Sequence, residues 1–388
     1  MIVAHLSLID FRNYESAEVS LVPGPNVFVG SNGQGKTNLV EAIGYLGTLG
    51  SHRVSTDQAL IRSGADAAIV RARLRHAERE VLLEVQLNRS GANRAQVNRV
   101  GVKPRELPRH IGTVLFAPED LALVRGEPSG RRRFLDQLLV QLSPRLAGVL
   151  ADYDRVLRQR NSLLKSARGA RVAEGQLSTL ELWDDRLIEL GSQIIDERAA
   201  LVDRLRPHVA AAYERIAGAA HRADLALALS ILGAQPDDDG VPTTVDAATG
   251  SAGHVTADEF RSAVARVRRS ELDRGITLVG PHRDDLTLVL NGLPARGYAS
   301  HGESWSFALS LKLASAALLR AESAVGDPVV VLDDVFAELD ESRRAQLAGA
   351  IGDYEQVLIT AAVLDDVPAE LAGHIVHIRA GRVVEEGS

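Results

Sequence analysis

Gly30, Ser31, Asn32, Gly33, Gln34, Gly35, Lys36 and Thr37 follow the pattern G-x-x-x-x-G-K-[ST] in full. That spacing suits a phosphate. Glycines let the backbone wrap around an anion with its N–H groups turned inward, and the N-terminus of a following helix adds partial positive charge. In such a loop Lys36 reaches the β/γ-phosphates and the Thr37 hydroxyl ligates Mg2+. A phosphate loop also needs a carboxylate for the metal. The stretch "VVVLDD" (329–334) offers two. Its apolar run suits a central parallel strand. Asp333 at the strand's end can hold Mg2+ through water, and Asp334 can orient or deprotonate an attacking water.

A third polar cluster is "SHGE" (300–303), which opens an apolar helix just ahead of that strand. Ser300, Gly302 and Glu303 can be read as a simple N-cap for a helix whose Phe307, Leu311, Ala314 and Leu318 form a core stripe. A helix start with a hydroxyl and a glycine backbone equally suits an anion.

These residues need a scaffold. Alternation at Leu6, Leu8, Val19 and Leu21 predicts a β-hairpin in the first ~30 residues. "NVFVG" is a short strand leading into the loop. "KTNLVEAIGYLGTLG" reads as a helix with Leu39, Ile43 and Leu46 on one face, stopped by glycines. Residues 67–103 read as antiparallel strands. There Arg71, Arg73 and Arg75 share a face opposite Val70, Ala72 and Leu74. From about Pro128 the period changes. Leu146, Val149, Tyr153, Val156, Arg160 and Leu163 keep a 3–4 spacing, as do Trp183, Leu187, Leu190 and Ile194. Two amphipathic helices in a hairpin arm follow from this, joined by the polar stretch 165–178. The segment 233–253 reads as a loop. Thr256 and Glu259 form a capping-box pattern ahead of another helix.

The chain has 388 residues, is 45% hydrophobic, and lacks cysteine. Disulfides and thiolate metal sites are therefore excluded, which fits a reducing cytoplasm. No stretch approaches the ~20 apolar residues of a membrane span, and the N-terminus does not read as a signal peptide. The net charge of −7 leaves nucleic-acid binding open if basic residues cluster.

Taken together, the phosphate loop, Ser-x-Gly-Glu, "VVVLDD" and "AELD" resemble an ABC-type ATPase head. In that class the signature loop caps the γ-phosphate bound by a partner copy, so the resemblance assigns Ser300, Gly302 and Glu303 to another molecule's ATP. Within the class the chain resembles the RecF family of recombination mediators. The resemblance rests on the loop region with "FRNY", on "SHR" (51–53), "LFAPEDLALVRGEPSGRRRFLD", "GPHRDDLTLVLNG", "YASHGES" and "VVVLDDVFAELD". It implies an α/β fold: an ABC-type P-loop ATPase head with an antiparallel β subdomain and an inserted helical arm. Head segments are expected at 1–125 and 275–388, and the arm at 126–274. It further implies a cytoplasmic, weakly ATP-hydrolysing protein that uses ATP and Mg2+ and dimerises on nucleotide. Such a protein binds gapped DNA or single/double-strand junctions, and works with RecR and RecO to load RecA.

The chain departs from the family pattern at Ser304-Trp305, where Gln-Arg is common. Trp305 is open to an interface or a core reading. Thr360 stands at the strand end that carries a histidine in transporters, Asp334 stands where many ABC proteins have Glu, and "FAPED" (116–120) offers no glutamine. DNA contact by Arg71, Arg73 and Arg75 competes with a solvated strand face, and contact by Arg131 to Arg133 with pairing to acids. A chromosome-organising ATPase is the alternative reading, though the arm is short for one. A transporter energiser is disfavoured by the missing histidine.

Overall fold

A computed structural model describes residues 1–170, 178–233, 257–323 and 326–384. Most of the 233–253 segment, residues 171–177 and the Thr256 half of the capping box lie outside the described residues. In chain order the strands are β1 (Ile2–Phe11), β2 (Tyr14–Ser20), β3 (Gly24–Val29), β4 (Ala67–His76), β5 (Arg79–Asn88), β6 (Arg94–Val97), β7 (Val100–Val102), β8 (Thr113–Phe116), β9 (Ala223–Ala228), β10 (Asp285–Leu290), β11 (Leu293–Pro294), β12 (Val329–Asp333), β13 (Gln356–Ala361), β14 (His374–Arg379) and β15 (Arg382–Val384). The helices are α1 (Lys36–Thr48), α2 (Leu121–Arg125), α3 (Pro128–Leu142), α4 (Leu146–Ala170), α5 (Ser178–Ala217), α6 (Ala257–Arg274), α7 (Ala295–Tyr298), α8 (His301–Glu322) and α9 (Glu341–Ile351). None of the described helices is long and apolar enough to cross a membrane.

One compact unit holds Met1–Leu121, Ala212–Ala219 and Ala308–Ser388. It contains two six-stranded sheets. The first is antiparallel, in the order β2-β1-β4-β5-β6-β7. The second has the order β15-β14-β3-β13-β12-β8, with all neighbours parallel except the β14–β15 hairpin. The period-2 pattern of β4 explains the first sheet: Val70, Ala72 and Leu74 are buried, while Arg73 and Arg75 are exposed. All five residues of β12 are buried, as a strand in the interior of a parallel sheet requires.

Helix α1 departs from the one-faced helix expected from its sequence. It is buried on nearly every side, and Leu39, Val40, Ile43 and Leu46 share one core cluster with residues of both sheets. Its end also differs. Leu49, not a glycine, takes the left-handed conformation (φ 53°), and its N–H closes the last turn on the Tyr45 carbonyl at 2.7 Å.

The other unit holds Ala122–Ala211 and Ala220–Phe307. Its core joins α4 and α5 to α6 through Tyr153, Leu187, Ile194, Phe260 and Val264. The expected two-helix hairpin is thus a three-helix arrangement. This unit also runs past residue 274, because β10 pairs antiparallel with β9 from Asp285–Ala228 to Leu290–Ala223 and with β11 on its other edge.

The apolar stripe of α4 contains Arg160, and the structure gives the reason. Its side chain is fully buried, with Nε donating to Asp184 (2.7 Å), Nη1 to Thr277 (2.7 Å) and Nη2 to Glu271 (2.6 Å). One guanidinium ties three helices and the loop after α6. Nearby, Asp284 Oδ1 accepts from the Ser230 N–H and hydroxyl, both at 2.8 Å, while its buried Oδ2 has no hydrogen-bond partner among the described residues. Burial raises this carboxyl to about 6, against the opposing hydrogen bonds from Ser230.

Two outcomes follow. Arg160→Ala leaves Asp184 and Glu271 as buried charges without their cation, and should cost about 3–5 kcal/mol in urea unfolding followed by circular dichroism. Asp284 has a folded pKa above its ordinary carboxylate value. Its contribution to stability is therefore complete below that ordinary value and lost as pH rises through about 6. Asp284→Asn keeps an acceptor for Ser230 and stays neutral. The parent's unfolding midpoint should fall relative to the variant's between acid and neutral pH.

Candidate functional site

β3 ends at Val29, and the backbone turns through residues 30–35 before α1 begins. Gly35 caps α1 at φ 113°, a conformation closed to most side chains. Space is also short at both flanking glycines. A Cβ on Gly30 would lie 2.3 Å from the Ile378 carbonyl oxygen, and one on Gly35 would lie 2.8 Å from both Asn13 Nδ2 and the Tyr14 hydroxyl. Ser31, Asn32 and Gly33 are exposed. Lys36 is only 3% exposed, and its Nζ is 3.4 Å from the Ser31 carbonyl oxygen. No carboxylate among the described residues is in ion-pair contact with it.

Thr37, in the first turn of α1, donates its hydroxyl to Asp333 Oδ1 at 2.8 Å. Thr360 donates to the same oxygen at 2.7 Å and accepts the Asp334 N–H at 2.9 Å. Strand register produces this meeting: Asp333 on β12 lies beside Thr360 on β13, and Thr360 lies beside Phe28 on β3. Asp334 then leaves the strand at φ 52°. Burial raises its carboxyl above the ordinary value, Lys36 opposes the rise, and Asp333 adds to it.

Two hairpin turns hold the loop, and sequence reasoning missed both. Asn13 Nδ2 donates to the Gln34 carbonyl at 3.2 Å, and the Tyr14 hydroxyl donates to the Gly35 carbonyl at 3.1 Å. From the β14–β15 turn, Gly381 N–H donates to the Gln34 carbonyl at 3.0 Å, and Ala380 N–H donates to Gln34 Oε1. Gln34 is therefore a brace for the loop. Asn13 lies within "FRNY", a family segment that could have flagged it. The Ala380–Gly381 turn has only its Gly as a signal.

In the other unit, Ser300 and Glu303 cap α8 reciprocally. Ser300 N–H donates to Glu303 Oε2 at 2.8 Å, and Glu303 N–H donates to Ser300 Oγ at 3.3 Å. Hydrogen bonding from the Ser300 hydroxyl and from its N–H holds the Glu303 carboxyl below its ordinary value. The N-cap role is thus present, and Ser300 itself is exposed. Gly302 is half-buried beside them. Ser304 is buried and accepts from Arg125 Nε at 3.1 Å. Trp305 is 4% exposed and belongs to the core. Arg131 makes two bonds to Asp285, at 2.7 and 2.8 Å, and Arg132 donates to the Asp284 carbonyl. These two members of the basic cluster serve "GPHRDD". Arg71 pairs with Glu84. Asp120 of "FAPED" accepts the Ala117 N–H and pairs with Lys312, each at 2.8 Å.

A phosphate loop after a central strand, an acid-ended neighbour strand, an antiparallel subdomain and a helical insertion define an ABC-type ATPase head. Residues 2–380 match the family model described as RecF/RecN/SMC N terminal domain. Relatives named DNA replication and repair protein RecF include one from Clavibacter michiganensis subsp. michiganensis, 63% identical over 390 residues, covering 99% of this chain and 96% of that one. Another, from Leifsonia xyli subsp. xyli, is 63% identical over 385 residues, covering 99% and 100%. The chain belongs to the RecF family. A solved structure of the recombination mediator protein RecF with ATP superposes with a TM-score of 0.82 at 27% identity, covering 99% of this chain and 98% of that one. An Smc head bound to ScpA shares the fold at 15% identity, with a TM-score of 0.52 over 99% and 97% of the two chains.

The glycines supply a test. Gly30→Ala should destabilise the chain, because backbone and not a flexible side chain blocks its Cβ. Gly44, inside α1, has open space where a methyl group would project, with nothing within 4 Å, so Gly44→Ala should stabilise by about 0.5–1 kcal/mol. Thermal unfolding of the two variants should move in opposite directions.

Proposed function

We propose that this protein is an ATP-gated DNA-binding ATPase of recombinational repair and replication restart. The observation that carries the reading is Lys36, a buried cation with no carboxylate in ion-pair contact among the described residues, set at the start of a helix beside the Thr37–Asp333 pair. The residues suit ATP and Mg2+. Lys36 and the loop's N–H groups would hold the phosphates. Thr37 and Asp333 would supply hard oxygen donors of the kind magnesium takes. Bound magnesium would offset negative charge on the phosphoryl oxygens during transfer. Asp334 would hold the attacking water, and its raised carboxyl pKa suits a group that accepts a proton.

The family points to a site completed by a second copy. Ser300, Gly302 and Glu303 would present the α8 N-terminus to the partner's γ-phosphate, and ATP would close the homodimer. Hydrolysis would be slow and would serve release. The solved RecF structures come from work on the RecFOR pathway, and the relatives are named for DNA replication and repair. On that basis the partners are gapped DNA or single/double-strand junctions, RecR with RecO, and RecA downstream, in the cytoplasm. DNA binding should weaken steeply with salt, because backbone contacts release counterions.

The test uses two variants. Lys36→Ala should lose tight ATP binding in a titration. Ser300→Arg should keep monomer binding yet fail to dimerise with Mg-ATP in light scattering. A mixture of the two should regain part of the ATPase, since one site of the mixed dimer draws Lys36 from one copy and Ser300 from the other. A Ser300→Arg protein that dimerises and hydrolyses ATP like the parent removes the composite site.

A further inference from the structure

The segment "SHR" has no part in the ATP and metal roles assigned so far, yet it is built with care. Ser51 is buried. Its hydroxyl donates to Glu41 of α1 and accepts the N–H groups of Arg53 (2.9 Å) and Val54 (3.1 Å). Glu41 is itself fixed by two bonds from Arg12, at 2.8 and 2.6 Å. Arg53 reaches back to Asn38 Oδ1 at 3.0 Å. Both neighbours of His52 are therefore anchored to α1.

This arrangement directs the imidazole toward β12. His52 Nε2 lies 3.5 Å from Asp333 Oδ2, is buried, and has no hydrogen-bond partner among the described residues. A buried polar atom left without a partner carries its full desolvation cost, so its placement calls for a role. Asp333 supplies one. Both hydroxyl donors, from Thr37 and Thr360, fall on Oδ1. A carboxylate gripped at one oxygen can still pivot about it. A donor at the second oxygen stops the pivot and fixes how the first faces its surroundings.

We infer that His52 is a positioning residue for the metal-binding carboxylate: a small turn of Asp333 brings Oδ2 onto His52 Nε2–H, and the two hydroxyls with this ring lock the carboxylate in one orientation. The inference rests on the proposed Mg2+ role of Thr37 and Asp333. Groups that orient a ligand in this way commonly change metal affinity about 10–100-fold when removed. His52 would act on the metal and leave phosphate recognition by Lys36 untouched.

The experiment measures binding of a fluorescent ATP analogue to the full chain, with EDTA and then across a Mg2+ titration. His52→Phe keeps a ring and removes the donor, and His52→Gln keeps a donor. The Mg2+ concentration for half-maximal tight binding should rise about tenfold or more in the Phe variant. The Gln variant should stay near the parent, and affinity in EDTA should be the same in all three. Equal losses with and without Mg2+ would mark His52 as merely structural, and an unchanged Mg2+ requirement would remove it from the site. Failure of Gln to restore the parent's Mg2+ dependence would also overturn the inference. A parent that binds the analogue identically with and without Mg2+ would instead overturn the metal reading of Thr37 and Asp333, and this inference with it.

Discussion

One carboxylate oxygen organises the site. Asp333 Oδ1 receives a hydroxyl from Thr37 and another from Thr360, so the helix after the phosphate loop, the acid-ended strand and the strand between them share a single acceptor. The parallel order β3-β13-β12 makes this possible, because it aligns the strand ends that carry the loop, Thr360 and Asp333. Moving any one strand by a residue would turn its end group to the opposite face of the sheet. The burial of α1 serves the same constraint. A helix packed between two sheets has little freedom to shift, so Lys36 and Thr37 are held as firmly as the strands beneath them.

The sequence disclosed those parts whose chemistry is local. The loop, the two acids and the cap of α8 are short motifs, each with its physical reason contained in a few residues. It disclosed the strand faces for the same reason, since alternation at Val70, Ala72 and Leu74 is visible without a partner. What stayed hidden depends on distant residues meeting. Asn13, Ala380 and Gly381 act on Gln34 through groups that carry no local sequence signature. Arg160 looks like a flaw in an apolar stripe until Asp184, Glu271 and Thr277 supply its partners. Trp305, open to two readings from its type alone, is settled by burial.

The basic clusters show how charge counted along a sequence differs from charge available at a surface. Arg131, Arg160 and Arg198 are all buried. Arg131 is paired with Asp285, and Arg198 donates to both oxygens of Asp136 at 2.8 Å and to the Pro281 carbonyl at 2.7 Å. The "GPHRDD" segment is thus largely a knot of internal polar contacts. Such a knot stabilises chiefly while every member keeps its partner. Arg73 and Arg75, exposed on β4, contrast with it as charges still facing water.

The place of β3 in its sheet bears on how the protein comes off the ribosome. Its sheet neighbours are β13 and β14, not the strands nearest to it in sequence. Val3 makes a comparable long-range contact, its N–H donating to the Gln356 side chain 353 positions away. The phosphate loop is therefore translated early and shaped late: residues 24–37 emerge with their apolar strand unpaired until residues 356–381 follow. A fold with contacts this distant closes slowly, and an unpaired strand is exposed to misassociation in the interval. The loop's contacts from β13, β14 and the Ala380–Gly381 turn therefore exist only once the parallel sheet is complete.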